Sequence, residues 1–152
     1  MRLHVKRESD LVLPLTIRGD FIVDVRRLTS RQTEELFNRC QKPNIRRGPG
    51  EPDTVLDDAK WLAAAPDAYI AGWQGLTAQV LRELGIDLNE EPPTANGTGH
   101  IAYDVELARD VWREAQALKF SIPIVQFSRD MLQAVEREKK SAFPPFVGSS
   151  SG

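Results

Sequence analysis

Apolar and polar residues alternate over the first part of the chain, and farther on the apolar positions recur at three- and four-residue steps. In 11–17, Leu13, Leu15 and Ile17 point one way. In 21–26, Phe21, Val23 and Val25 do the same while Asp24 and Arg26 face out. A period of two predicts two strands. Gly19-Asp20 between them suits a two-residue hairpin turn, because glycine accepts the positive φ that such a turn demands. Pro14 has no amide hydrogen and implies an edge strand or a bulge. Thr29 or Ser30 then caps a short helix to about Gln41, with Leu36, Phe37 and Cys40 on its inner face.

Residues 42–53 contain Pro43, Gly48, Pro49, Gly50 and Pro52 around Arg46-Arg47, a basic linker that breaks both periods. From about Thr54 the face of Val55, Leu56, Ala59, Leu62 and Ala63 predicts a helix that Pro66 closes or restarts. Tyr69, Ile70, Trp73, Leu76, Val80 and Leu84 extend the helical spacing over 67–84, with Gly85 as a stop. Gly72 and Gly75 weaken that helix by up to about 1 kcal/mol each. The pair around Trp73 therefore predicts a close backbone approach or a break near residue 75.

After a loop at 89–100, two similar units follow. Each has an apolar lead (101–106 and 125–130), an N-cap oxygen (Asp104, Ser128) and an acid two residues on (Glu106, Asp130), where it meets the positive helix end. The first predicts a helix to about Phe120 and the second a helix ending near Lys140. The expected fold is α+β, an N-terminal β-hairpin or small antiparallel sheet packed against four or five short α-helices. It forms a single domain over 1–147, with a hairpin plus helix at 1–42, the linker at 43–53, a helical region at 54–140 and a flexible tail at 148–152.

Composition narrows the class. The chain has 152 residues, 41% of them hydrophobic and 28% charged, which suits one water-soluble domain with a real core. No apolar run approaches the roughly 18 residues needed to cross a bilayer, and the start lacks the apolar segment of a secretory signal. A single cysteine, Cys40, excludes an internal disulfide and a multi-cysteine metal site. The expected location is the cytoplasm, with no membrane contact. Charge is uneven: residues 1–50 carry 11 Lys/Arg against 6 Asp/Glu, and residues 51–100 carry 2 against 9. Opposed lobes of this kind can steer partners or pair in a homo-oligomer.

Candidate chemistry is sparse. His4 and His100 have no second histidine or cysteine at ligand spacing. Glu34/Glu35, Asp57/Asp58 and Glu90/Glu91 are adjacent pairs, and adjacent residues on a helix do not face each other. Gly97-Thr98-Gly99 lacks the lysine and hydroxyl residue of a phosphate loop, and Arg18-Gly19-Asp20 falls where a turn is required. No catalytic, cofactor or metal residue is assigned, and the expectation is a protein that is not an enzyme. Nucleic-acid binding is the alternative, through Arg26, Arg27, Arg31, Arg39, Lys42, Arg46 and Arg47. Interleaved acids, the lack of an aromatic stacking platform and a pI near 5.7 weigh against it.

Ile70, Trp73, Gly75 and Leu76 stand in the order aliphatic-x-x-Trp-x-Gly-aliphatic. Ile101, Tyr103, Asp104 and Glu106, or else Val125, Phe127, Ser128 and Asp130, follow as aliphatic-x-aromatic-Ser/Asp-x-acid. With the strands at 13–28, this order resembles the tail assembly chaperones of long-tailed bacteriophages and their prophage relatives. The chain departs from that pattern in the long insert at 77–100 and in a second capped helix. The resemblance implies a non-enzymatic role: binding unassembled tail-tube subunits, or the tape-measure protein around which they polymerise, and masking their apolar surface. Tyr69 and Trp73 are then candidate partner anchors, with core packing as the other reading of both. Arg46, Arg47, Phe143 and Phe146 complete the candidate partner-binding set.

Overall fold

Phe21, Val23 and Val25 are fully buried, while Ile22, Asp24 and Arg26 between them are only partly so. That alternation makes β2 (Phe21–Arg26) the spine of the computed structural model, which describes residues 11–45, 48–88 and 99–142. β1 (Val12–Arg18) pairs with it antiparallel through the predicted Gly19-Asp20 turn, where Gly19 has φ +56°. Pro14 lies on this outer strand, opposite Asp24. A capping box opens α1 (Ser30–Arg39). Thr29 Oγ1 accepts from Gln32 N at 3.1 Å, and Gln32 Oε1 accepts from Thr29 N at 2.9 Å.

The predicted linker is the loop of a second hairpin. β3 (Gln41–Pro43) pairs antiparallel with β4 (Thr54–Leu56), so Lys42, Pro43 and Thr54 to Leu56 are extended rather than linker and helix. The helix begins later, as α2 (Asp58–Tyr69), where Asp57 Oδ1 accepts from Ala59 N and Lys60 N. It runs through Pro66 instead of closing there.

The helix predicted over 67–84 is overturned. β5 (Ile70–Gln74) is the third strand of the sheet, on the far side of β2 from β1. Val25 faces Ile70, Asp24 faces Gly72 and Val23 faces Trp73, with a slip that leaves Ala71 as an extra residue. This bulge explains the misreading. A strand returns to one face every second residue, but one inserted residue brings Ile70 and Trp73, three apart, onto the same buried face. Their spacing mimics a helix. The break predicted near Gly75 is present: Gly75 has φ +76°, and a Cβ there would sit 2.7 Å from the Asp20 carbonyl carbon and nearer still to its oxygen. α3 (Ala78–Glu83) then starts from Thr77, whose hydroxyl accepts from Val80 N.

α4 (Val105–Glu114) is capped by Asp104, as predicted, but stops short of a 3-10 turn at Ala117–Lys119. α5 (Ser121–Ala142) differs more, since the second predicted lead, 125–130, lies inside it. Pro123 falls in its first turn, where a missing N–H is an orphan in any case. Ser128 is no cap. Its buried hydroxyl donates to Arg26 O at 2.8 Å and accepts from Leu28 N at 3.2 Å, fastening α5 across the end of β2.

The fold is thus α+β, a small antiparallel sheet packed against helices. One ring-to-ring path threads the core in the order Phe37, Trp61, Tyr69, Trp112, Phe120, Phe21, Trp73, Tyr103. Among the described residues no helix is long and apolar enough to cross a membrane.

Candidate partner interface

Next to its Phe37 end, at Trp61, this aromatic path lies beside a groove. Trp61 lies one turn into α2, half-buried, stacked on Phe37 at 5.1 Å and 12° and edge-on to Tyr69 at 6.3 Å. Trp112 is buried on α4 and stacks on the other side of Tyr69 at 6.0 Å and 7°. Arg109 holds α4 to α2, its Nε and Nη2 donating to the two Asp67 carboxylate oxygens at 2.9 and 2.7 Å. At such exposure this fork sets geometry more than stability. α5 forms the opposite wall with Ile122, Val125, Gln126, Arg129, Asp130 and Gln133, spaced by three and four residues along one face.

The resulting groove has a volume of about 530 Å³, within the range of binding clefts. Ile122 on its wall is 46% exposed, and Leu118 in the preceding turn is 81% exposed. A smaller hollow of about 320 Å³ between α1 and α5 shares Val125 and Arg129 with it. Burial raises the Tyr69 phenol above its ordinary pKa, and the Arg129 charge pulls the other way. The guanidinium of the groove wall thus acts on the core ring behind it.

A third hollow of about 700 Å³ has a mixed lining, with Gln32, Glu35, Arg39 and Asp67 beside Leu28 and Leu36. Its Arg26 is already engaged, Nη1 donating to Asp67 O at 2.8 Å and Ile70 O at 3.1 Å.

The candidates from sequence are dispersed. Tyr69 and Trp73 are 3% and 8% exposed, so they are packed inside and offer no surface to a partner in this conformation. Arg46, Arg47, Phe143 and Phe146, and the tail at 148–152, lie outside the described residues. Of the basic residues, Arg26 and Arg39 line the hollow of about 700 Å³ together. Arg26 donates to backbone carbonyls and Arg27 is 1% exposed, while Arg31, which pairs with Glu35, Arg39 and Lys42 are exposed. Of the acidic pairs, Asp57 is a helix cap and Glu35 an ion-pair partner, while Glu90/Glu91 lie outside the described residues. Cys40 is buried, as its helix face implied. No group of three or more His, Cys, Asp and Glu side chains among the described residues is placed to hold a metal ion.

The groove residues Trp61, Trp112 and Ile122 went unflagged in the sequence. The one available signal was that Trp61 interrupts the face set by Ala59, Leu62 and Ala63.

Comparison with protein-family models, with curated proteins and with solved structures finds no match to this chain. The two segments that carry the phage resemblance are in direct contact. Trp73 Nε1 donates to Ile101 O at 3.0 Å, Ile101 N donates to Leu76 O at 2.7 Å, and the Trp73 and Tyr103 rings meet edge to face at 5.1 Å. The alternative second segment, Val125 to Asp130, is helical and has no extended lead.

Proposed function

We propose that this chain is a non-enzymatic assembly protein acting in the cytoplasm through protein contacts, as the tail assembly chaperones of long-tailed phages do. Its clients would be unassembled tail-tube subunits or the tape-measure protein. The observation that carries this reading is the meeting of the two resembling segments. Residues 70–76 and 101–106, far apart in sequence, form one unit in which an indole hydrogen bond, a positive-φ glycine and a helix cap each have a structural task. A motif whose parts interlock is better support for kinship than scattered matches. The Trp61–Trp112 groove, with Ile122 and Leu118 beside it, is the surface we assign to clients. It suits the apolar face of a client helix, held until a proper neighbour displaces it.

Co-expression with a tail-tube or tape-measure protein of the same phage or prophage tests the role. The expected result is a larger soluble fraction of that protein and a complex that co-elutes in size-exclusion chromatography, weakened by Ile122→Glu. A client that stays insoluble and unbound refutes the role, and a salt-sensitive mobility shift with nucleic acid would redirect it.

A further inference from the structure

The groove beside Trp61 also suits a ligand that this chain carries itself. We propose that the groove receives the Phe143-Pro144-Pro145-Phe146-Val147 stretch of a second copy of this chain. Trp61 offers an aromatic surface with the buried Trp112 behind it, Ile122 and Val125 form apolar walls, and Gln126 and Gln133 carry amide donors along the same side. Proline rings stack well on such surfaces, and a Pro-Pro segment presents backbone carbonyls but no N–H groups at the two prolines. The stretch bears no charge, so its entry strands no ion in an apolar cleft. A proline ring fixes φ in any chain, so a Pro-Pro segment loses less entropy on docking than other sequences would.

Reach decides in favour of a second copy over the same one. The groove runs along α5 from Ile122 to Gln133, whereas the tail follows Ala142 at the end of that helix. At about 1.5 Å per residue, Gln133 lies about 14 Å from Ala142 and Val125 about 26 Å, so Phe143 falls short of every lining residue. Fully extended and folded straight back, the four residues to Phe146 span at most about 14 Å. Both phenylalanines therefore cannot seat in the groove of their own chain. In a neighbouring molecule nothing limits the approach, and two chains can exchange tails reciprocally. A phenylalanine buries about 150–250 Å², so four of them approach the smallest area of a specific interface, roughly 1,200 Å². The dimer should accordingly dissociate on dilution. This inference needs only the groove and the tail, and it stands or falls apart from the phage role.

Sedimentation velocity over a concentration series tests it on three proteins: the full chain, a chain ending at Ala142, and Ile122→Glu. The glutamate sits in the first turn of α5, where the helix dipole favours an acid, and circular dichroism checks that it folds. The full chain should self-associate and both variants should remain monomeric. An equal mixture of the two variants should associate again, more weakly, since one has the groove and the other the tail. A monomeric full chain, self-association retained by either variant, or a mixture that stays monomeric each overturns the proposal. Should Ile122→Glu lose its helical signal, a synthetic peptide of residues 141–147 titrated into the shortened chain decides instead. Saturable change in tryptophan fluorescence supports the groove, and a flat titration overturns it. Client binding measured on the shortened chain then reports on the phage role separately.

Discussion

Replacing Gly75 by alanine should cost far more than the same change at either of two other glycines of the sheet, and the three together separate backbone strain from steric contact. At Gly75 two penalties coincide. Its φ of +76° is a left-handed conformation that costs an L-residue about 1–2 kcal/mol. In addition, the new Cβ would sit 2.7 Å from the Asp20 carbonyl carbon and 3.3 Å from Phe21 N. Those neighbours are backbone and have no rotamer to change, so the end of β5 and the hairpin turn must move apart. Leu76 and Phe21, both fully buried, sit at that junction. Overpacking of this kind adds about 1–3 kcal/mol. The expected loss is therefore about 2–5 kcal/mol, or roughly 4–20 °C in melting temperature for a domain of this length. Gly19 isolates the first penalty, having φ +56° and nothing within 4 Å of an added Cβ. Gly19→Ala should cost about 1–2 kcal/mol. Gly72 has neither penalty, because its φ is ordinary and its new Cβ would only touch Asp24 Oδ2 at 3.4 Å. Gly72→Ala should fall within about 1 kcal/mol of the parent. Urea unfolding followed by tryptophan fluorescence reads all three. Equal losses at Gly75 and Gly19 would refute the close approach of β5 to the turn.

Three further outcomes follow from the same packing. Arg27 is buried, and among the described residues neither its Nε nor its Nη2 has a hydrogen-bond partner. Arg27→Met should stabilise the fold by about 1–4 kcal/mol in chemical denaturation, and a lower midpoint would reveal an ion partner for the guanidinium. Ser128→Ala removes the hydroxyl between Arg26 O and Leu28 N and should cost about 1–3 kcal/mol, visible as faster hydrogen exchange at Leu28. Tyr69 has its pKa raised by burial, so the folded state holds the phenolic proton more tightly than the unfolded chain. Stability should be intact below the ordinary tyrosine pKa of about 10 and should fall as pH rises above it, and Tyr69→Phe should flatten that alkaline decline.

Local signals in this chain were legible wherever one element's chemistry sufficed. Alternation at Phe21, Val23 and Val25 marks β2, Gly19-Asp20 marks its turn, and Thr29 with Gln32 marks the start of α1. The failures have specific causes. Ala71 is an unpaired residue in β5, and nothing in the sequence distinguishes its insertion from a helical step between Ile70 and Trp73. Only the partner strand does. The lead read at 125–130 lies inside α5, and Ser128 reads as a cap but bonds to a backbone about a hundred positions away. β3 and β4 are each three residues long, too short for any period to register.

The groove was illegible for a related reason. Trp61, Trp112 and Ile122 belong to three helices, and each looks like an ordinary core residue of its own element. Tyr69 and Trp73, singled out because aromatic residues often dominate interface energetics, prove to be buried links within the aromatic path. A path of stacked rings needs an end, and the ring at the end has one side without a ring neighbour. One end is the partly buried Tyr103, which sits against Trp73 beside the Asp104 cap. At the other end Phe37 covers one face of Trp61 at 5.1 Å, yet the groove opens beside the same indole. Extending the apolar wall there by Ile122 and Leu118 leaves surface that water wets poorly and another protein segment covers well. The contact surface we propose for this chain is therefore an edge of its own core.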